Sequence, residues 1–147
     1  MPRLDAERIE LLRSMTGATT SIERRIDADL MREFDLPLAW FEVMSALQRH
    51  EGVMRVSDLK DVLGELPSSL SRRLDRMEEQ DLIEREPSPG IDKRAVLVRL
   101  TRDGRSFWRD ANVVYRRAVQ KHFANVVTES DIVALQRLLS KLTTEPR

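Results

Sequence analysis

Residues 67–79 are central to the predicted fold and have the sequence Pro67-Ser-Ser-Leu-Ser-Arg-Arg-Leu-Asp-Arg-Met-Glu-Glu79. At helical spacing, Leu70, Leu74 and Met77 form one apolar stripe. Two hydroxyls and two guanidiniums point roughly the opposite way: Ser68, Ser69, Arg72 and Arg76. Arginine forks form bidentate bonds to phosphates and guanine edges, and serine hydroxyls can bond either. The pattern therefore predicts a short helix with an apolar back for a core and a front of hydroxyls and guanidiniums that could bind nucleic acid.

The same helix has a plainer interpretation. Asp75, Glu78 and Glu79 stand at helical spacing from the arginines, so the charges can pair with one another on a solvated surface. The stretch alone does not separate the two interpretations, and the segments on either side of it do.

Both flanks match a winged helix-turn-helix. On the N-terminal side, Ser57 is expected to cap a helix over 58–63 that Gly64 ends, and a Gly-containing turn between two short helices is the helix-turn-helix pattern. On the C-terminal side, two runs over 82–86 and 95–100 flank a Pro/Gly loop and predict a β-hairpin wing, with a small strand expected at 54–56. Thr101 is expected to cap the helix that follows.

Long helices are predicted at both ends of the chain. The first covers 4–32, and Asp35 is expected to cap a second helix that runs to about His50. After the wing, a helix continues to about Val127, and a capping box at 128–131 starts the last helix. The apolar stripes of 4–32 and 132–142 have no partner inside a winged-helix core, which favours packing across a two-fold axis.

The predicted fold class is therefore mainly α with a small β-hairpin wing (α+β). We expect residues 1–147 to form a single domain. Within it, 36–100 would be the winged helix-turn-helix DNA-binding lobe, and 1–34 with 101–147 would be the helical dimerisation region with N- and C-terminal dimerisation helices.

Composition excludes several classes of protein. The 147 residues are 41% hydrophobic and 34% charged, as in a globular protein, and the formal net charge is zero. We expect no membrane association and a cytoplasmic location, since no apolar run approaches spanning length. With no cysteine and two isolated histidines, the sequence predicts no metal site, no cofactor, no catalytic residue and no enzymatic activity.

Six short segments, in this order and spacing, resemble the MarR family of bacterial transcription regulators. They are Leu36-Pro-Leu-Ala-Trp-Phe-Glu-Val-Met, Arg55-Val-Ser-Asp-Leu, Ser71-Arg-Arg-Leu-Asp-Arg-Met-Glu, Leu82-Ile-Glu-Arg, Asp92-Lys-Arg-Ala-Val-Leu-Val and Leu100-Thr-Arg-Asp-Gly104. The resemblance implies a homodimer that binds pseudo-palindromic double-stranded DNA, usually as a repressor, and that often responds to a small ligand. The chain departs from the family at Leu66, where a capping Ser or Thr is common, and at Asp81, where Gly is.

The resemblance also assigns residues. It implies that Arg94 enters the minor groove as the wing arginine, with Asp92 as its wing partner. The DNA-binding residues that we predict are Ser68, Ser69, Ser71, Arg72, Arg73, Arg76, Asp92, Lys93 and Arg94.

A ligand crevice is a further hypothesis. Apolar residues on the second helix and on the helix after the wing can line a space between the dimer base and the DNA-binding lobe, where a flat aromatic or anionic effector would fit. The candidate residues are Met15, Trp40, Met44 and Trp108, for which plain core packing is the alternative. For the protein as a whole, the alternative to a DNA-binding regulator is a winged-helix module that binds another protein.

Overall fold

The computed structural model describes residues 5–90 and 95–144. Within them the chain forms six α-helices and a small antiparallel sheet, so the mainly helical winged-helix prediction is confirmed. In chain order the elements are α1 (Ala6–Phe34), α2 (Leu38–Arg49), β1 (Val53–Arg55), α3 (Val56–Leu63), α4 (Pro67–Glu79), β2 (Ile83–Pro87), β3 (Val96–Leu100), α5 (Arg102–His122) and α6 (Glu129–Thr143). A single 3-10 turn, Ala124–Val126, joins the last two helices.

The junction of α1 and α2 differs from the prediction. Asp35 does not cap α2, because it ends α1 in the left-handed conformation (φ 51°), and its N–H donates to Met31 O at 3.0 Å. The first turn of α2 is capped from a distance, since Leu38 N donates to Asp27 Oδ1 at 2.8 Å. Asp27 lies on α1, so this bond also fixes the angle at which the chain enters α2.

Two predicted boundaries are also corrected, those at the start of α3 and at the end of α5. Helix α3 begins at Val56, so Ser57 lies inside its first turn and is not its cap. Helix α5 ends at His122, five residues before the predicted Val127, because the chain tightens there into the 3-10 turn. The start of α1 is capped by Asp5, whose Oδ1 accepts from Arg8 N at 2.9 Å. Leu4, the predicted first residue of α1, lies outside the described residues.

The sheet has the order β1-β3-β2, and both pairings are antiparallel. Val98 of β3 is its centre, opposite Met54 of β1 on one side and Arg85 of β2 on the other. Strands β2 and β3 form the predicted hairpin, and a bond from Ser88 N to Ala95 O at 2.8 Å extends the pairing beyond β2. The wing prediction is confirmed up to residues 91–94, which lie outside the described residues.

One hydrophobic core joins the winged-helix elements to the long helices. Its centre is the inner face of α2, where Phe41, Met44 and Leu47 are buried. Tyr115 of α5 stacks on Phe41 with ring centroids 4.5 Å apart, and α1 packs along α5. The winged helix-turn-helix therefore packs directly on α1 and α5 through α2.

Within the described residues, the last helix contributes no residue to the hydrophobic core. Among its described residues none is buried, and its apolar stripe is open to solvent: Ile132 45%, Leu135 41%, Leu139 44% and Leu142 62% exposed. Near the start of α1, Leu11 and Leu12 are also exposed. The capping box predicted at the start of α6 is present, formed by Thr128 and Asp131. No helix in the described ranges is long and apolar enough to cross a membrane.

Candidate nucleic-acid interface

Helix α4 turns its apolar stripe into the core. Leu70, Leu74 and Met77 are each at most 1% exposed, so the back of the helix is fully packed. Leu66 holds the N-cap position in an extended conformation and gives no side-chain cap, and Pro67 is the first helical residue. The helix is therefore held by its packing and by Pro67 and not by a capping side chain.

The opposite side of α4 carries the predicted polar front. These predicted DNA-binding residues are all exposed: Ser68, Ser69, Ser71, Arg72 and Arg76. Among the residues that the structure describes, no carboxylate forms an ion pair with Arg72 or Arg76. The helix presents hydroxyls and guanidiniums on one side and apolar side chains on the other, as the sequence predicts.

The carboxylates of α4 pair with a strand and not with the arginines of their own helix. Arg85 of β2 donates from Nη2 to Asp75 Oδ1 at 2.5 Å and to Glu78 Oε1 at 3.1 Å. Its backbone N–H donates to Glu78 Oε2 at 2.8 Å, and these hydrogen bonds lower the pKa of Glu78. The interpretation that Arg72 and Arg76 pair with Asp75 and Glu78 is therefore wrong.

Arg85 was missed in the sequence because its role is long-range. It lies seven residues beyond Glu78 in the next element, and neither helical nor strand periodicity relates the two positions. By neutralising two carboxylates next to the basic front, it makes that front more favourable to phosphate.

Arg73 behaves differently from its neighbours on α4. Its Nη1 donates to Glu65 Oε1 at 2.9 Å, and Nη2 lies 2.8 Å from Glu65 Oε2. The Arg73 side chain is only 14% exposed. This predicted DNA-binding residue therefore connects α4 to the turn that precedes it.

The wing is anchored to the end of α4. Thr101 Oγ1 donates to Asp81 O at 2.6 Å and accepts from Gly104 N at 2.8 Å, which caps α5 as predicted. Asp81 adopts the left-handed conformation (φ 59°) that ends α4. Gly104 is required because a Cβ there would lie 2.0 Å from Leu82 O. Helix α4, the wing and α5 consequently meet at one closely packed joint.

The predicted contacts at the wing tip, Asp92, Lys93 and Arg94, lie outside the described residues. In the described part of the wing, Glu86 of β2 and Arg99 of β3 form a cross-strand ion pair at 2.8 Å. The hairpin stands next to α4 through the bonds of Arg85. Helix α4 and the wing therefore belong to one surface.

The two histidines both have partners inside the fold. His50 Nδ1 lies 2.8 Å from Ala46 O, and His122 Nε2 lies 2.8 Å from Asp29 Oδ2, linking α5 to α1. In the ranges 5–90 and 95–144, no group of three or more His, Asp or Glu side chains is arranged to hold a metal ion.

The residues predicted for a ligand crevice are spread over several environments. Met44 is fully buried, while Trp40 and Trp108 are half-buried against the core. Trp108 Nε1 donates to Ser45 Oγ at 2.9 Å. Met15 lies apart from them, in a shallow groove on α1. Ligand binding by these four residues stays a prediction.

A cavity of about 660 Å³ opens on one side of α2, between α1, α3 and α5. This volume is in the range of small-molecule sites, roughly 300–1,000 Å³. Two guanidiniums, those of Arg24 and Arg49, line it together with the ring of Tyr115 and the carboxyl of Glu42. Burial raises the pKa of Glu42, and burial likewise raises that of Tyr115. No pattern in the sequence indicates this cavity, because its walls come from four separate elements.

Comparison with known proteins now adds to this geometry. A family model described as MarR family matches residues 34–95, which run from the end of α1 through the wing. The multiple antibiotic resistance protein MarR of Salmonella typhimurium is 30% identical over 118 residues, which cover 80% of this chain and 81% of that protein. The chain belongs to the MarR family. The resemblance seen in the sequence is thereby confirmed, and the family consists of transcriptional regulators.

Two solved MarR-family structures with DNA share the fold. A mutant MarR from Escherichia coli complexed with operator DNA has a TM-score of 0.82 and 28% identity, over 96% of this chain and 100% of that one. The regulator Sco3205 from Streptomyces coelicolor in complex with DNA has a TM-score of 0.85 and 25% identity, over 97% and 89% of the two chains.

Proposed function

We propose that this MarR-family chain is a homodimeric transcriptional regulator that binds a pseudo-palindromic operator. In this proposal α4 enters the major groove and the wing, through Arg94, enters the adjacent minor groove. The observation that carries the proposal is the front of α4, where Arg72 and Arg76 are exposed while Arg85 holds the carboxylates of Asp75 and Glu78. Two relatives of the same fold are described with bound DNA, which supports the same role here.

The proposed dimer follows from the surface of the terminal helices. The apolar stripe of α6 is open in the single chain, and burying apolar surface contributes about 25 cal/mol per Å². A second copy supplies the same stripe in a two-fold arrangement. Such a dimer presents two α4 helices, which suits two half-sites about one helical turn apart.

The wing residues complete the proposed interface. Arg94 is proposed to insert into the minor groove, where narrow A·T-rich DNA attracts arginine, with Asp92 as its partner and Lys93 at the phosphates. We further propose that binding represses transcription, that the protein acts in the cytoplasm and that it has no catalytic role.

Release by a small aromatic or anionic ligand is the second part of the proposal. The cavity beside α2 supports a site for an aromatic ligand, because Tyr115 lines it and its volume of about 660 Å³ is in the range of small-molecule sites. For an anionic ligand the lining is mixed, since Arg24 and Arg49 stand among four carboxylates: Glu23, Asp27, Glu42 and Glu65. A ligand there contacts α1 and α5 as well as α2. It lowers the affinity for DNA only if it binds more tightly to an arrangement of these helices that cannot bind DNA. Such coupling typically amounts to about 1–3 kcal/mol.

The test begins with recovery of DNA fragments bound by the purified protein from a genomic library. Fluorescence anisotropy on a recovered fragment then compares three variants, Arg72→Ala, Arg76→Ala and the matched control Arg109→Ala, an exposed arginine on α5 away from α4. We expect losses of about 1–3 kcal/mol for the two α4 variants, with relaxed preference at one base pair each, and little change for Arg109→Ala. Failure to recover any preferred DNA, together with capture of a protein by α4, would favour the protein-binding alternative.

A further inference from the structure

Leu66 is an apolar residue in a position that normally serves helix capping. It immediately precedes α4, the residue is 71% exposed, and it is outside the hydrophobic core. Ser, Thr, Asp or Asn at this position would bond the free N–H groups of the first turn, and α4 has no side-chain cap. Leu66 thus exposes apolar surface and leaves the helix uncapped, so it contributes nothing evident to the stability of the fold.

The turn that carries Leu66 is held in one conformation. Gly64 ends α3 in the left-handed region (φ 64°), and Glu65 is fastened to Arg73 by the contacts at 2.9 and 2.8 Å. Pro67 restricts the residue before it to extended conformations, and Leu66 has φ −73° and ψ 141°. Pro67 and the contacts between Glu65 and Arg73 therefore restrict the backbone that carries the Leu66 side chain, which reduces the entropy that binding would cost.

The chemistry of the major groove identifies a partner for such a side chain. The N-terminal residues of a recognition helix lie closest to the base edges. Among the groups on those edges, the C5-methyl of thymine is apolar, and apolar side chains contact it. Resting on the DNA-binding function proposed above, we infer that Leu66 contacts a thymine methyl in each half-site of the operator. We infer with it that Arg73 is a positioning residue, which holds Leu66 in place through Glu65.

The inference is tested by removing the methyl alone. In a recovered operator each thymine is replaced in turn by deoxyuridine, symmetrically in both half-sites, and affinity is measured for the wild type and Leu66→Ala. One thymine position should weaken the wild type by about fourfold per half-site, and hence roughly fifteenfold in the dimer, since a buried methyl contributes about 0.8 kcal/mol. Leu66→Ala should bind the natural operator more weakly and show no sensitivity to deoxyuridine at that position.

Two further variants separate contact from folding. Leu66→Asn can supply the missing cap, so it should fold at least as well as the wild type and still lose the methyl sensitivity. Val62→Ala, an exposed apolar residue (49%) on α3, is the matched control and should keep the full sensitivity. If either Leu66 variant responds to deoxyuridine as the wild type does, or if no thymine position responds in the wild type, the inference is overturned.

The role of Arg73 has its own readout. Arg73→Gln should reduce the methyl sensitivity while leaving the salt dependence of binding unchanged, because a positioning residue releases no counterion. A salt slope lowered by about one would instead assign Arg73 to a phosphate and overturn its positioning role. A wild type that recovers no preferred DNA would refute the proposed function itself. Binding that is strong but insensitive to deoxyuridine would refute only the inference.

Discussion

Replacement of Gly104 by alanine should damage the joint between α4, the wing and α5. A Cβ at residue 104 would lie 2.0 Å from Leu82 O and 2.9 Å from Leu82 C, whereas real Cβ contacts are essentially never shorter than 3.0 Å. The obstacle is backbone, so it cannot be relieved by a change of rotamer. Either α5 or the segment after α4 must move by about 1 Å, the shortfall between the two distances.

The expected cost can be assembled from its parts. Overpacking of this kind costs about 1–3 kcal/mol. Leu82 O also accepts the hydrogen bond from Thr101 N at 3.1 Å, which the same movement would weaken, adding about 1 kcal/mol. We therefore expect Gly104→Ala to lower the free energy of unfolding by about 2–4 kcal/mol.

The assay is urea unfolding followed by circular dichroism, at one fixed protein concentration because a dimer's stability depends on it. Gly17→Ala is the matched control, since nothing in the chain lies within 4 Å of a Cβ at that position on α1. There alanine should stabilise the chain by roughly 0.5–1 kcal/mol through helix propensity. Equal stabilities for Gly104→Ala and the wild type would refute the close approach of α5 to Leu82.

Three further outcomes follow from the surface and the ion pairs. Log affinity for the operator should fall steeply with log salt despite zero net charge, because phosphate contacts release counterions; anisotropy measures this slope, and a flat plot would contradict phosphate contacts. Leu135→Asp on the open stripe of α6 should convert the dimer to a monomer in sedimentation experiments, and an unchanged dimer would place the interface elsewhere. The hydrogen bond from His122 lowers the pKa of Asp29 in the folded protein. The stability that this pair contributes is therefore complete above the pKa of Asp in the unfolded chain, about 3.9, and is lost as the pH falls through the lower pKa of Asp29 in the folded protein. Asp29→Asn should accordingly destabilise the protein at pH 7, and its stability should fall less than that of the wild type as the pH is lowered from 7 to 3. Thermal unfolding across this range measures both effects, and an unchanged dependence on pH would contradict this role of Asp29.

The elements themselves were predictable because each has a local signal. Helix α4 was predicted over its full length from the spacing of Leu70, Leu74 and Met77 and from Pro67 at its start. The caps at Thr101 and Thr128 were also found, since a capping side chain lies within three residues of the N–H that it accepts from. These features depend on neighbours in sequence.

The long-range bonds could not be predicted in this way. Asp35 and Asp27 are equally good caps by residue type, and only the packing of α1 against α2 brings Asp27 to Leu38 N, eleven residues away. The partner of Arg85 depends on the position of β2 beside α4, which no periodicity encodes. The same holds for the cavity lined by Arg24 and Arg49. What the sequence missed are contacts between elements, and these decide which charges on α4 are available.

In the proposed complex, two copies of α4 contact two half-sites of one operator. Hydroxyl-radical and methylation-interference footprinting on a recovered operator, with the stoichiometry of the complex measured in parallel, would show both sets of contacts. We predict one dimer per duplex and two symmetric sets of major-groove contacts whose centres are about one helical turn apart, roughly 10 base pairs. We also predict that Arg72→Ala weakens both sets equally. A single protected patch bound by a monomer, or protection that persists without the arginines of α4, would contradict the account.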